Sequence, residues 1–153
     1  MKILIRMLGT GLGIGMLPAF PGTCATLIGC FFGWLMKDLA AEFYLMALIV
    51  VFPIGAWIAA ENEKIFGRKD APCIVIDEIF AFPLAMFLVP VGWISLILAF
   101  VLFRIFDIFK PFPCKRLESL PHGYGVMADD YMAAAYTCLV LHLLLRFIPL
   151  GLT

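Results

Sequence analysis

Seven charged side chains stand at the ends of long uncharged stretches, and their types suggest one kind of chemistry. Five are carboxylates and two are cations: Asp77, Glu78, Asp107, Asp129 and Asp130, with Arg104 and Lys110. Carboxylates that gather in one place repel one another, and a hard cation such as Mg²⁺ relieves that repulsion through oxygen ligands. Arginine and lysine beside them would bind phosphate. The set predicts metal-assisted phosphoryl chemistry, with the carboxylates as catalytic and metal-binding candidates and the cations as substrate-binding candidates.

Each of these residues also has a plain structural interpretation. The two adjacent acidic pairs both precede an apolar stretch, where acidic residues commonly cap a helix or complement its dipole. Asp107 instead follows an apolar stretch, so it is not an N-cap. Arg104 and Lys110 stand three residues to either side of it and could form an ion-pair ladder with it on one helix face. The spacing alone leaves both interpretations open.

The charge is concentrated in one part of the chain. Residues 104–130 hold eight of the 22 charged residues, between uncharged runs of 25 and 15 residues. The chain as a whole is 64% hydrophobic and 14% charged, with a mean hydropathy of +1.07, whereas soluble domains are about 25% charged. The composition therefore excludes an ordinary soluble domain. The net charge of zero makes a nucleic-acid partner unexpected.

Several apolar segments are predicted to be helices. Glycines and prolines interrupt the first uncharged region, so we expect no cleaved signal peptide there and a helix that begins near Thr23, with Thr23 as its N-cap. That helix would cover residues 24–36. Residues 43–60 give the clearest transmembrane prediction, and the last span is expected at about residues 130–147.

The 25-residue uncharged run at 79–103 decides the topology. One continuous helix would place Asp77 and Asp107 on opposite sides of a membrane, whereas a hairpin broken near Pro90 and Gly92 would bring them to the same side. The hairpin is favoured because proline and glycine break helices and because it collects most of the lysines and arginines on one side, as cytoplasmic loops do. Its legs, 74–89 and 91–110, would measure about 24 and 30 Å as helices.

These segments predict an all-α protein, a multi-pass integral membrane helical bundle of about five embedded helices in a single domain over residues 1–153. The N-terminus and the charged site would face the cytoplasm and the C-terminus the outside. Membrane lipids are the expected surroundings, and the oligomeric state stays open.

Four blocks of sequence resemble those of the bacterial phosphatidylglycerophosphatase A family. They are, in one-letter code, GLG at 11–13 leading to PAFPGT at 18–23, the Asp77-Glu78 pair, FRIFDIFKPFP at 103–113, and GYGVMADD at 123–130. The third and fourth blocks are specific, and the four together span most of the chain. One departure is visible, because Ala81 stands where the family usually has glycine.

The resemblance implies an all-helical, Mg²⁺-dependent enzyme of the bacterial inner membrane that is built around a central helix. Such an enzyme removes the terminal phosphate of phosphatidylglycerophosphate and leaves phosphatidylglycerol. The five carboxylates would hold Mg²⁺ or activate water, Arg104 and Lys110 would bind the phosphate, and the turn containing Thr23 could add backbone donors. Metal-activated water is the first choice of nucleophile, and a phospho-aspartyl intermediate is the alternative.

Other functions compete with this one. Charge inside a membrane often marks a translocation path, so a small transporter is an alternative, although the charges gather at one face rather than at mid-membrane. A lipid phosphatase that acts on a different head group and a non-catalytic membrane scaffold are the others.

Overall fold

All regular secondary structure is helical in the part of the protein that the computed structural model describes, residues 1–147. That part contains seven α-helices and one 3₁₀ turn and has no strand, which confirms the predicted all-α class. The elements are α1 (Lys2–Gly9), the 3₁₀ turn (Ile14–Met16), α2 (Pro21–Leu35), α3 (Ala41–Phe66), α4 (Ile76–Ala85), α5 (Trp93–Phe109), α6 (Cys114–Leu117) and α7 (Tyr124–Phe147).

The short helix α4 lies at the centre. Seven of its ten residues are buried, and α2, α3 and α7 all pack against it. Gly29 lets α2 approach closely, since a Cβ there would lie 2.6 Å from the Cβ of Phe82. Phe82 meets Phe103 of α5 edge-to-face, with ring centroids 5.5 Å apart. Ala81 is fully buried in the same core, so the packing accommodates its methyl group.

The chain reverses between α4 and α5, as the predicted hairpin requires. The break covers residues 86–92, and the backbone N–H of Gly92 donates to Ser95 Oγ at 2.8 Å, which fixes the start of α5. The end of α5 returns to the start of α4, because Arg104 lies 3.8 Å from Glu78. The predicted break near Pro90 and Gly92 is confirmed.

The first leg of the hairpin is shorter than predicted. The sequence favoured a helix over 74–89, but α4 ends at Ala85 and is only about 15 Å long at 1.5 Å per residue. Residues 86–89 instead form tight turns, such as Met86 N–H to Pro83 O at 3.0 Å, and Leu88 has a positive φ of 57°. Pro90 disfavours helical backbone at Val89, the residue before it, so a helix could not easily extend to the predicted end.

Three other predicted boundaries were wrong. Helix α2 begins at Pro21 rather than near Thr23, because proline suits the first helical position; Phe20 precedes it, and Thr23 lies in the first turn instead of capping it. Helix α3 continues six residues beyond the predicted end at position 60. Helix α7 begins at Tyr124, so the aspartates expected at its start lie on its second turn.

The glycine-rich N-terminal segment supports the start of α4. The carbonyl of Gly9 accepts a 2.9 Å hydrogen bond from Val75 N–H, directly before α4. A Cβ at Gly15 would overlap the carbonyl of Cys73, so only glycine allows the two backbones to meet there. These glycines hold the loop that positions the carboxylates of α4.

Among residues 1–147, α3 is the helix that is long and apolar enough to cross a membrane by itself. Its most apolar window has a mean hydropathy of 2.2, and only 33% of that window is buried, whereas the core helix of a soluble protein would be mostly buried. Large apolar side chains are also exposed on α2 and α5, among them Phe31, Ile97 and Ile108.

Candidate active site

Three carboxylates from two helices converge at one end of the core. Asp77 and Glu78 come from the first turn of α4, where the helix dipole favours negative charge, and Asp130 comes from α7. One oxygen of each can be chosen so that all three lie within 4.8 Å of one another. Asp77 and Asp130 are buried, so water screens their mutual repulsion poorly. The group can bind a cation at this spacing.

Four buried carboxylate oxygens around this point have no hydrogen-bond partner among the described residues. They belong to the three converging carboxylates and to a fourth: Asp77 Oδ1, Glu78 Oε2, Asp130 Oδ2 and Asp129 Oδ1. An unpaired buried polar atom is costly, and an unpaired buried charge more so. Since Mg²⁺ takes oxygen ligands and is commonly held by one or two carboxylates together with water, the donor set and its unpaired oxygens fit such an ion.

Arg104 connects this group to α5 and α2. Its guanidinium lies 2.6 Å from Asp107 and 3.8 Å from Glu78, and its Nη1 lies 3.5 Å from the hydroxyl of Thr26. Arg104 therefore carries positive charge at the edge of the carboxylate group, where an anionic ligand would meet both.

Lys110 lies at the end of α5 and pairs with α7. Its Nζ is 2.6 Å from Asp129 and 3.4 Å from Glu118. Burial disfavours the charged lysine, but the hydrogen bond and the negative charge of Asp129 outweigh burial and raise the pKa of Lys110. It therefore stays protonated at neutral pH. The ion-pair ladder on α5 forms only between Arg104 and Asp107, because Lys110 turns to α7.

The N-terminal turn of α2 lies against the same site. A Cβ on Gly22 would overlap Glu78 Oε1 and come within 3.3 Å of Arg104 Nη1, so the absence of a side chain allows this approach. Thr23, the next residue, is partly exposed. Its predicted phosphate contact stays a prediction.

Sequence reasoning missed Thr26 and the role of Gly22. Thr26 is fully buried, and its hydroxyl donates to Gly22 O at 2.8 Å, one turn earlier on α2. A threonine inside an apolar run often makes this local bond, so the residue looked like part of an ordinary helix. The one available signal was the four-residue spacing that places Thr26 on the face of Gly22.

The structure brings together all seven charged candidates in two connected groups. Asp77, Glu78, Asp107, Asp130 and Arg104 form the first, and Asp129 with Lys110 forms the second beside it. The two groups are joined on α7, where Asp129 and Asp130 are neighbours in sequence. This arrangement can hold a cation and an anion side by side.

Comparison with known proteins identifies a family that matches most of the chain. The sequence model of the family described as Phosphatidylglycerophosphatase A matches residues 7–145. A protein of that name from Haemophilus influenzae is 33% identical over 89% of this chain and 85% of its own length. The Escherichia coli protein of the same name is 30% identical over 96% and 87%. A Bacteroides thetaiotaomicron protein with the provisional name phosphatidylinositol-3-phosphatase is 34% identical over 88% and 89%. No solved structure matches the chain.

Proposed function

Because the chain belongs to the phosphatidylglycerophosphatase A family, we propose that it hydrolyses phosphatidylglycerophosphate at the site described above, with Mg²⁺ held by Asp77, Glu78 and Asp130. The family makes it a phosphatase that acts on a lipid phosphate. The ion and the roles of individual residues are the proposal. The observation that carries it is the set of buried, unpaired carboxylate oxygens beside Arg104.

The residues of the site divide the reaction between them. When bound, Mg²⁺ supplies positive charge that offsets both the carboxylates and the phosphate. Arg104 binds the phosphate and stabilises the charge that develops on its oxygens during transfer. Asp107 holds the guanidinium in place through their 2.6 Å contact. The N-terminal turn of α2, with Thr23, offers backbone N–H donors to the same phosphate.

The second group, Asp129 with Lys110, activates the water molecule by accepting its proton. Asp129 keeps Oδ1 buried and unpaired while Lys110 holds its other oxygen, so Oδ1 accepts the proton of the attacking water. Water attacks phosphorus, the bond between phosphorus and the glycerol oxygen breaks, and that oxygen takes the proton from Asp129, so that phosphatidylglycerol and phosphate result. Lys110 keeps Asp129 oriented and adds positive charge near the phosphate.

The proposal places the protein in the bacterial inner membrane as a multi-pass bundle with its site at the cytoplasmic face. Exposed apolar side chains along α2, α3 and α5 support this placement, since a soluble protein rarely exposes such large apolar surfaces. Exposed basic residues gather at the end that carries the site, among them Arg68, Lys69, Lys115 and Arg116. Basic residues mark cytoplasmic loops.

Phosphate release by the purified protein tests the proposed function. In detergent micelles, the protein is expected to release inorganic phosphate from phosphatidylglycerophosphate. A mock purification from cells that do not express the protein provides the blank. Because one relative bears the name of an inositol-lipid phosphatase, phosphatidylinositol 3-phosphate is the competing substrate. A higher kcat/KM on the inositol lipid would reassign the head group, and release from neither lipid would overturn the function.

Replacing Gly22 by alanine is expected to lower turnover by about tenfold or more without unfolding the protein, because small displacements of catalytic groups are costly. The added methyl group would overlap the Glu78 carboxylate, which is the movable end of a side chain. Alanine also favours helix. Phosphate release and the midpoint of thermal unfolding are the measurements.

Gly33→Ala on the same helix is the matched control for this change. Its Cβ would meet the side chain of Met86 at 3.3 Å, at the far end of α2 from the carboxylates. We expect near-normal turnover for Gly33→Ala. Equal losses in the two variants would show that the effect is one of helix packing and not of Glu78.

A further inference from the structure

An apolar groove runs between α2 and α3 over the surface of α4. Both helices pack against α4, but they have little contact with each other. The gap that remains has a volume of about 150 Å³. Phe32 of α2 and Met36 directly after it line the groove on one side, Ala47 and Val51 of α3 on the other, and Ile79 and Pro83 of α4 at its floor. Every residue that lines it is apolar.

On α4 the groove begins one residue beyond Glu78. Ile79 follows Glu78 directly in the sequence, and Pro83 lies four residues further on, about 6 Å along the axis of α4. Helix α2 runs in the same direction as α4, because Gly22 meets Glu78 at one end and Gly33 meets Met86 at the other. The groove therefore extends away from the carboxylates, along the helices.

Its apolar lining and its direction suit one type of ligand. A lipid whose phosphate sits among the carboxylates has its fatty acyl chains directed away from them, parallel to helices that cross the membrane. Burying each methylene of such a chain is favourable. A polar or charged ligand would find no hydrogen-bond partner on side chains of this kind.

We propose that this groove is the acyl-chain site of the enzyme and holds one fatty acyl chain of the lipid substrate during catalysis. The inference rests on the proposed function, because the lipid that supplies the chain is the one whose phosphate reacts. Holding the acyl chain fixes how deep the lipid head group lies in the membrane, and this aligns its phosphate with Arg104 and the three carboxylates.

Filling the groove tests the proposal. Ala47→Phe projects a ring into the groove and is expected to lower kcat/KM for dioleoyl phosphatidylglycerophosphate by about tenfold, as the burial of roughly two methylenes would be lost. The same variant should hydrolyse a water-soluble dibutanoyl analogue as fast as the unmodified protein does. Val51→Phe fills the groove closer to the site and should act in the same way.

Val50→Phe is the matched control, because Val50 is the neighbour of Val51 on α3 but is 51% exposed and lies outside the groove. It should leave both substrates unaffected. Parallel losses on both substrates in the groove variants would make the groove a packing feature, and unchanged kinetics on both would place the acyl chain elsewhere. Either result overturns the proposal. Release of phosphate from neither substrate by the unmodified protein would instead overturn the proposed function.

Discussion

Asp130→Asn is expected to lower the turnover of phosphatidylglycerophosphate by about a thousandfold, because the charge stabilisation that a metal ion provides is worth several kcal/mol in the transition state. Asparagine keeps the shape of aspartate and removes its charge. Asp130 is the single contribution of α7 to the three oxygens within 4.8 Å of one another. Phosphate release as a function of Mg²⁺ concentration is the measurement. Adding EDTA to the unmodified protein should give a comparable loss, which Mg²⁺ should reverse.

Thermal unfolding separates metal binding from a structural role of Asp130. Without metal, the variant should unfold at the same temperature as the unmodified protein or at a higher one, since one of several mutually repelling buried charges is gone. Mg²⁺ should raise the midpoint of the unmodified protein but not that of Asp130→Asn, because a ligand stabilises the state that binds it. Glu61→Gln, which changes a carboxylate paired with Lys64 away from the site, should respond to Mg²⁺ normally. Full activity in EDTA would contradict the metal site.

Arg104→Lys is expected to lower kcat by about a hundredfold, a typical cost of losing one group that stabilises charge in the transition state. Lysine keeps the positive charge but loses the planar fork that binds two phosphate oxygens at once. It also cannot reproduce the contacts of Arg104 with Asp107, Glu78 and Thr26 at 2.6, 3.8 and 3.5 Å. Steady-state kinetics should show a fall in kcat that is larger than the rise in KM.

Arg68→Lys provides the control for Arg104→Lys. Arg68 is exposed and lies in the loop between α3 and α4, so the same exchange there should leave kcat unchanged. Asp107→Asn adds a second test, because Asp107 holds the guanidinium of Arg104. Residues that act as one unit have non-additive effects, so the double variant should be little worse than Arg104→Lys alone. Fully additive losses would show that Asp107 acts independently of Arg104.

Much of the helical organisation could be predicted because it follows from local patterns. Long apolar runs mark α2, α3, α5 and α7, and the proline and glycine near position 90 mark the reversal. The errors occurred at helix ends, where single residues decide. Pro21 started α2 two residues before the predicted position, and tight turns after Ala85 replaced the last predicted turn of α4.

The candidate site was harder to predict, because residues that are close in sequence point in different directions. Adjacent residues on a helix are about 100° apart, and so Asp129 pairs with Lys110 while Asp130 joins the group on α4. The spacing on α5 likewise allowed both cations to pair with Asp107, yet only Arg104 does so. Thr26 and Gly22 carried no chemical signal of their own.

The sequence by itself determined the class of the protein, its helical segments, the reversal between α4 and α5, and the seven charged residues to consider. These are consequences of composition and of short-range spacing. Only the tertiary structure decided which three carboxylates converge and which basic residue pairs with each of the other two. It also decided where α2 and α3 separate to leave an apolar groove. Those features depend on how helices distant in sequence are oriented around α4, and that orientation follows from the packing of the whole core.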